Sequence, residues 1–525
     1  MKRFPLLLIC LLLSLNIASQ TEADMQNYKK LQWATMYIKT LYVDTVNTTK
    51  LVEDAIKGML EKLDPHSTYT NVEETKKLNE PLQGNFEGIG VQFRMVEDTL
   101  LVTQTVAKGP SEKVGILAGD RIVSCNGEVI AGVKMNQDSI MSKLRGKKGS
   151  HALLKIVRRE VKDTLTFDVV RDKIPIHTID AAYMIAPGIG YVLLERFGAT
   201  SGKELKEEIA QLKKEGMKDL ILDLKSNGGG YLGASVEIAG EFLNPGDLVV
   251  YTESRTQTRQ DLKADGGGLM REGRIVVLVD QYSASAAEIV SGALQDHDRA
   301  TIIGRRTFGK GLVQRPIILP DQSMIRLTVS HYYTPSGRCI QKPYEKGNAQ
   351  EYSKDILNRL NHGELTCLDS IKLDSTKVFK TLKKERTVYG GGGIMPDIFV
   401  PLDTTAYTKM YSAISRQNLI IDGVAKFMEK QRNALKKKYP TFEEFNKNYI
   451  VPDTFVDDIL LRANEKNIKP TDDKELSDTR EQLTFMLRAM IAYDLWDRNE
   501  LIRITNERDD IVKRALQFLS ENESF

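Results

Sequence analysis

Short apolar runs alternate with helix-forming stretches through the middle of the chain, and this alternation limits the fold more than any other feature. Three strand-like runs (Gly190–Phe197, Leu220–Leu224 and Arg274–Asp280) each lead through a turn into a stretch of helical length. Repeated strand-to-helix units predict a sheet with helices packed against it. Two later runs, Thr301–Ile303 and Met324–Tyr333, have no helix between them, so the predicted sheet is mixed.

The length of the chain predicts several domains, because 525 residues are too many for one hydrophobic core. We expect an export signal, an N-terminal helical segment, a β-rich domain, a sheet-and-helix core with a polar insertion, and a C-terminal helical region. Their predicted bounds are 1–19, 24–83, 84–172, 173–401 with the insertion at 342–389, and 402–525. The predicted fold class is multidomain α+β.

The first twenty residues have the layout of a secretory signal peptide. Lys2 and Arg3 precede the apolar run Leu6–Leu15, and the small residues Ala18 and Ser19 follow at a cleavage point. The apolar run is shorter than the roughly 20 residues that a membrane-spanning helix needs. The sequence therefore predicts export, with an uncleaved membrane anchor as the alternative.

Charge and metal-ligand patterns exclude two classes of function. The 74 basic and 71 acidic residues are intermixed, so no nucleic-acid partner is expected. Beyond the signal, Cys125, Cys339 and Cys367 are an odd number at unrelated spacings. The six histidines show no metal-binding spacing either, so we expect no metal site.

Residues 84–172 read as short strands and turns. A Gly-apolar-Gly-apolar loop precedes the first strand, and Asn126-Gly127 is a strong hairpin signal. The order of elements resembles a PDZ domain over its full length. That resemblance implies that backbone N–H groups of the loop hold a peptide's terminal carboxylate while the peptide adds a strand. The alternative is that the glycines only form a tight turn. The carboxylate-binding residues would be Gly88, Ile89, Gly90 and Val91.

Three further segments carry residues for hydrolytic chemistry: Asp223–Gly230, Ser283–Glu288 and Phe308–Gln314. Together they resemble the C-terminal processing peptidases, also called tail-specific proteases, and the resemblance covers most of residues 24–401. That family has a crotonase-like α/β core, a nucleophilic serine and a lysine 25 positions later, which is the separation of Ser285 and Lys310 here. The resemblance implies that Ser285 is the nucleophile, Lys310 the general base and acid, and Gln314 the residue that orients the lysine.

The proposed pair makes chemical sense without the family name. A serine hydroxyl is a weak nucleophile until a base removes its proton. A lysine that is half neutral at pH 7 needs its pKa lowered by about 3.4, which corresponds to about 4.6 kcal/mol. Apolar burial can supply a change of that size. Phe308, Leu312 and Val313 around Lys310 predict such surroundings.

An acyl-transfer site also needs backbone donors for the oxyanion. The N–H of Ala286 follows the nucleophile, and Gly229 allows close backbone approach, so these two form the predicted oxyanion hole. The chain departs from the family pattern at Gly228, where proline is common, and at Lys225, where arginine is usual. The choice between Gly229 and Gly228 stays open.

Alternative roles remain for several of these residues. Ser285 can be a plain helix cap, and Ser283 is a rival nucleophile. Asp296 matches a position where some relatives carry an assisting aspartate, although it also fits a polar helix end. His297 raises the alternative of a Ser-His-Asp triad.

The function predicted from the sequence is a serine endopeptidase that binds protein C-termini through its PDZ domain and cuts near them. We expect protein substrates with free apolar tails, no cofactor, and a bacterial periplasmic or cell-envelope location. The C-terminal helices are candidates for homo-oligomer or adaptor contacts. One alternative is a non-catalytic secreted binding protein, like the retinoid-binding relatives of this fold. Another is a crotonase-like acyl-CoA enzyme, which the export signal and the PDZ domain disfavour.

Overall fold

A computed structural model describes residues 4–159 and 161–521, so Lys2 and Arg3 of the predicted signal lie outside the described residues. The described chain divides into two compact units. The first unit holds the residues up to 75 together with 314–328 and 344–354. The second unit holds 76–313, 329–343 and the remainder from 355.

The first unit begins with helices. Its elements are α1 (Phe4–Leu41), α2 (Thr48–Glu61) and β1 (Thr68–Thr70). Asn47 caps α2, because its side chain accepts a hydrogen bond from the N–H of Lys50 at 3.1 Å. Strand β1 pairs antiparallel with residues 324–326. Among the described residues, none of the helices combines the length and apolarity that crossing a bilayer requires.

A β-rich domain follows helix α3 (Val72–Gln83). Its elements are β2 (Asn85–Gly88), β3 (Val91–Val96), β4 (Thr99–Thr105), α4 (Pro110–Lys113), β5 (Arg121–Cys125), β6 (Glu128–Val129), α5 (Gln137–Leu144), β7 (His151–Val157), β8 (Leu165–Val170) and β9 (Asp172–Pro175). The main sheet has the order β3-β4-β5-β7-β8, and β2 pairs with β9. Asn126 and Gly127, both with positive φ, form the tight β5–β6 turn that their sequence predicts.

The sheet-and-helix core comes next. Its elements are β10 (Ile179–Ala186), β11 (Ile189–Leu194), α6 (Ser201–Lys214), β12 (Asp219–Asp223), α7 (Leu232–Gly240), β13 (Leu248–Glu253), β14 (Gln260–Lys263), β15 (Ile275–Val279), α8 (Ala286–Asp296), β16 (Thr301–Gly304), β17 (Leu312–Ile318) and β18 (Met324–Tyr333). The insertion contributes α9 (Ala349–Ser353), α10 (Asp355–Asn361), β19 (Val378–Lys380) and β20 (Thr387–Tyr389), and β21 (Ile398–Phe399) returns to the core.

The central sheet has the order β10-β11-β12-β15-β16-β21 and is mixed, as predicted, because only β10 runs antiparallel. Strand β15 is buried along its whole length, which is typical of a parallel strand covered on both faces. Residues of α6, α7 and α8 form the hydrophobic core on one face.

Helices make up the C-terminal part of the second unit. They are α11 (Lys409–Arg416), α12 (Leu419–Lys438), α13 (Phe442–Asn448), α14 (Asp453–Glu465), α15 (Asp473–Leu495), α16 (Arg498–Thr505) and α17 (Asp510–Ser520). The apolar stripe of α15 lies inside, with Leu483, Leu487 and Ile491 fully buried. Helix α17 packs on the second face of the central sheet, so the predicted C-terminal region also completes the core.

Candidate active site

Ser285 lies in a turn between β15 and α8. It occupies the N-cap position of α8 with φ of 58° and ψ of −113°. A non-glycine residue in this conformation is strained, and such strain persists where the surrounding structure fixes it. The side chain of Ser285 is partly exposed, whereas Ala284 and Ala286 beside it are buried. The turn therefore presents this hydroxyl at the end of the sheet, as a strand-turn-helix elbow does.

The rival nucleophile, Ser283, has a structural role. Its side chain is fully buried and its hydroxyl donates to the carbonyl of Leu224 at 2.7 Å. The same oxygen accepts the N–H of Asp280 at 2.9 Å. Because both hydrogen-bonding functions are used inside the protein, Ser283 has no accessible oxygen for attack.

The polar residues at the other end of α8 are distant from Ser285. His297 follows the helix, about 18 Å along the axis from Ser285, and its Nε2 bonds the carbonyl of Leu248 at 2.8 Å. Asp296 precedes it and forms a fully buried ion pair with Arg338. Its second oxygen accepts the N–H of Ser336 at 2.9 Å. The structure therefore brings neither the triad histidine nor the assisting aspartate to the nucleophile.

Gly229 packs directly against the nucleophile turn. A Cβ on Gly229 would lie 2.9 Å from both the Ser285 Cβ and the Ala286 nitrogen, and φ of Gly229 is +96°. Its N–H donates to Oδ1 of Asn227 at 2.8 Å, so an oxyanion would compete with that side chain for this proton. Ala286 is the first residue of α8, and its N–H therefore has no intrahelical acceptor. Gly228 is exposed, and a Cβ on it would have no neighbour within 4 Å.

Glu288 joins the serine turn to the lysine loop. Its buried Oε2 accepts the N–H of Ser285 at 2.9 Å and the N–H of Lys310 at 2.8 Å. The two nitrogens share one acceptor atom and are thus less than about 6 Å apart. Oε1 accepts the Thr307 hydroxyl and the N–H of Gly309. Burial raises the pKa of Glu288, and these hydrogen bonds oppose that rise.

Tyr332 forms a second bridge between the same two segments. Its hydroxyl lies 3.1 Å from the carbonyl oxygen of Ser285 and is also hydrogen-bonded to the carbonyl of Lys310. The N–H of Phe308 in turn donates to the carbonyl of Ser283 at 3.0 Å. The backbones of Ser285 and Lys310 are thus fixed relative to each other from several directions, although 24 residues separate them in the sequence.

The insertion supplies a buried arginine to the residues that precede the lysine loop. Arg359 of α10 donates to the carbonyls of Arg306 at 2.6 Å and Thr307 at 3.1 Å. Glu364 pairs with Arg359 at 2.7 Å and holds Arg306 with both carboxylate oxygens, also at 2.7 Å. Burial lowers the pKa of Arg359. The sequence showed only a polar insertion here, because nothing local connects Arg359 to Arg306 and Thr307, which precede it by 53 and 52 positions.

Gln314 belongs to the first unit, on strand β17. Its amide donates to the carbonyl of His66 at 2.5 Å. Asp64, two residues before His66, accepts hydrogen bonds from the N–H groups of His66 and Ser67 and from the hydroxyl of Thr328. Burial acts to raise the pKa of Asp64, but a hydrogen bond from the Ser67 hydroxyl, together with these bonds, lowers it below its usual value. The segment 64–67 therefore fixes Gln314, and its action on Lys310 stays a prediction.

The β-rich domain has an apolar groove between β3 and α5. Its lining includes Phe86, Ile89, Val91, Phe93, Met141 and Leu144. The carbonyl of Ile89 accepts both the N–H and the hydroxyl of Ser111, at 3.0 and 2.7 Å. The carbonyl of Gly90 accepts the N–H of Val106 at 3.0 Å, and φ of Gly90 is +74°. These bonds hold the predicted carboxylate loop, residues 88–91, beside the groove.

Comparison with known families matches four segments of the chain. The model of peptidase family S41 matches residues 188–347, and the PDZ domain model matches 88–173. The model of the activating protease CtpB N-terminal domain matches 14–75. Residues 410–497 match a family of unknown function (DUF8443).

Curated relatives agree with the peptidase match. A carboxy-terminal-processing protease of Bartonella bacilliformis is 37% identical over 308 residues, which cover 58% of this chain and 70% of the relative. The carboxy-terminal processing protease CtpA of Bacillus subtilis is 34% identical, covering 62% and 70%. The solved photosystem II D1 C-terminal processing protease is 27% identical, covering 71% of this chain and 86% of that one, with a TM-score of 0.36.

The fold and the matched segments define a peptidase that carries a PDZ domain. The chain belongs to peptidase family S41, the family of the carboxy-terminal processing proteases, and is a serine-type peptidase. The resemblance found in the sequence is thereby confirmed, and the alternatives of a carrier protein and an acyl-CoA enzyme are set aside.

Proposed function

We propose that this peptidase cuts exported proteins near their C-termini through an acyl-enzyme on Ser285, with Lys310 as its general base. The observation that supports this pairing most directly is the shared carboxylate oxygen of Glu288, to which the backbone N–H groups of both residues donate. Four hydrogen-bond donors offset the cost of burying this carboxylate and fix the serine turn relative to the lysine loop.

The proposed reaction forms an acyl-enzyme on Ser285 and then hydrolyses it. The Lys310 amine takes the proton of the Ser285 hydroxyl while Oγ attacks the peptide carbonyl carbon. The oxyanion is stabilised by backbone N–H groups, of which the Ala286 N–H is the leading candidate. The Lys310 ammonium then gives its proton to the departing amine. Water, deprotonated by the same lysine, attacks the ester carbonyl carbon. As the C–O bond to Oγ breaks, the lysine returns the proton to Oγ, and the new carboxylate and the Ser285 hydroxyl are released.

The PDZ groove supports the second half of the proposal, recognition of a substrate tail. An apolar groove beside a loop of consecutive backbone N–H groups fits a peptide that ends in a free carboxylate and an apolar side chain. The signal-like residues 1–19 support substrates outside the cytoplasm, in a bacterial periplasm or cell envelope.

The test compares the purified protein with Ser285→Ala and Lys310→Ala on an unfolded protein with an apolar C-terminus. Each variant should lose at least about 10³-fold in kcat/KM. Ser291→Ala is the matched control, since its hydroxyl bonds backbone carbonyls of its own helix, those of Ala287 and Glu288. Cleavage by either dyad variant at the rate of the parent would refute the mechanism. Amidation of the substrate tail should weaken binding, and undiminished binding would contradict the PDZ assignment.

A further inference from the structure

The helices that match a family of unknown function contact the PDZ domain of the same chain. On the PDZ side, Arg121 of β5 places Nε and Nη2 at 3.0 and 2.6 Å from Oε1 of Glu429 in α12. Arg159 donates to the carbonyl of Glu429 at 2.6 Å. One turn earlier on α12, Lys426 pairs with Glu97 at 2.7 Å.

An apolar contact lies beside these charged groups. Val96 and Leu101 of the PDZ sheet form a small buried cluster with Ala425 of α12, and each is only 4% exposed. Charged pairs around a dry centre are the arrangement of a specific protein interface rather than of a chance contact.

A second helix contacts the strand that borders the peptide groove. The hydroxyl of Tyr493 in α15 bonds Oε1 of Gln92 at 3.1 Å, and the guanidinium of Arg94 lies 5.7 Å from the centre of the Tyr493 ring. Gln92 and Arg94 alternate along β3 with Val91 and Phe93, which line the groove. The helices therefore hold β3 by the face that points away from the groove.

The same helical region continues into elements bound to the peptidase core. Asn499 of α16 accepts the N–H of Ala182 at 3.1 Å, and Arg498 pairs with Asp180 at 3.0 Å. Both core residues belong to β10 of the central sheet. The helices thus connect the PDZ domain to the sheet that ends at Ser285.

We propose that residues 410–497 are an intramolecular docking module for the PDZ domain, which fixes the direction in which the groove presents a captured tail. A PDZ domain attached only by linkers would move relative to the core. Because the helices contact the face of β3 that points away from the groove, the groove of the PDZ domain stays open. The same contact fixes the position of the groove relative to the peptidase core. The part of this proposal that concerns tails rests on the proposed function; the docking itself does not.

Hydrogen–deuterium exchange on the full chain tests the docking, with Arg121→Glu, Glu429→Arg and the double variant. Each single reversal places like charges together and should raise exchange at 91–96 and 419–438 about tenfold. The double variant restores opposite charges and should return exchange to within about twofold of the parent. Arg480→Glu, which breaks a pair inside the helical region, is the control and should leave 91–96 unchanged.

Two further measurements keep the test decisive. Exchange at the buried strand β15 reports whether each variant is folded. Tyr493→Phe is a milder variant, because it removes only the hydroxyl that bonds Gln92, and it should raise exchange at 91–96 about twofold to threefold. Unchanged exchange at 91–96 in Arg121→Glu and Glu429→Arg would overturn the proposal. So would a double variant no better protected than the single ones.

Activity measurements separate this proposal from the proposed function. In Arg121→Glu, a fluorescent tail peptide should bind with the affinity of the parent, because the groove is not altered. The kcat/KM for a tail-bearing protein should fall at least threefold, while a short amidated peptide is cut as before. An unchanged kcat/KM for the tail-bearing protein would refute the presentation role. Failure of the parent to cleave any substrate would refute the proposed function and leave the exchange result standing.

Discussion

Replacement of Glu288 tests whether one buried carboxylate aligns the two halves of the active site. Glu288→Ala removes the acceptor from four donors, namely the N–H groups of Ser285, Gly309 and Lys310 and the Thr307 hydroxyl. A buried donor left without a partner costs about 1–3 kcal/mol. Relief of carboxylate burial offsets part of this, so we expect a loss of about 4 kcal/mol in the free energy of unfolding.

Glu288→Gln should destabilise the protein less than Glu288→Ala, because a glutamine keeps one of the two acceptor oxygens. The Gln amide nitrogen must face one of two donor pairs, either Thr307 with Gly309 or Ser285 with Lys310. A threonine hydroxyl can rotate and accept, whereas a backbone N–H cannot. The amide should therefore face Thr307 and keep its oxygen on Ser285 and Lys310, so the Gly309 N–H loses its acceptor and the Thr307 hydroxyl must turn away to accept from the amide. We expect a loss of about 2 kcal/mol.

The assays are urea unfolding and steady-state cleavage of a peptide substrate. Because small displacements of reacting groups reduce rates steeply, kcat should fall about tenfold in Glu288→Gln and at least about 10²-fold in Glu288→Ala, with KM little changed. Glu241→Gln is the matched control. Glu241 is also buried, and burial also raises its pKa, but its carboxylate accepts the N–H of Leu269 and no donor from the serine turn or the lysine loop. A folded Glu288→Ala variant with kcat within threefold of the parent would refute the reasoning.

Three further outcomes are expected. Gly229→Ala places a methyl group 2.9 Å from the Ser285 Cβ at a positive φ, so it should lower kcat about 10²-fold in a protein that still melts cooperatively; normal activity would contradict the packing. Arg359→Met should lower kcat with little effect on KM, and a changed KM alone would argue against its hold on the Arg306 and Thr307 carbonyls. Burial, with the hydrogen bond that protonated Asp180 donates to Glu195, raises the pKa of Asp180 to about 7, so the contribution of Asp180 to stability falls as the pH rises from about 4 to 7. Asp180→Asn removes that loss. The Tm of the variant minus the Tm of the parent should therefore be larger at pH 7.5 than at pH 4.5. A Tm difference that does not change with pH would refute the raised pKa of Asp180.

Local sequence patterns predicted the secondary-structure elements well where turn-forming residues or a helical apolar repeat are present. Asn126-Gly127 forms the expected hairpin, and the helical stripe of α15 is buried. The family resemblance, based on spacings within short segments, is confirmed by the matches. Turn chemistry and helical periodicity act over a few residues, so they can be read without the fold.

Long-range contacts account for most of what the sequence did not reveal. The spacing to Lys310 favoured Ser285 over Ser283, but the physical reason that excludes Ser283 is a bond to the carbonyl of Leu224, about 60 residues earlier. Glu288 was visible only as part of a motif, and Arg359 only as part of a polar insertion. Asp296 was selected by its position in the family pattern, but the structure pairs it with Arg338 far from the nucleophile.

The sequence by itself determined the kind of peptidase and pointed to the residues proposed to react, since these follow from side-chain chemistry and short spacings. Only the tertiary structure decided which carboxylate joins the serine turn to the lysine loop, and that α17 and the preceding helices complete the core and hold the PDZ domain. The physical reason is that a hydrogen bond or an apolar contact between distant segments leaves no periodic trace in either segment. It exists only when both are folded against each other.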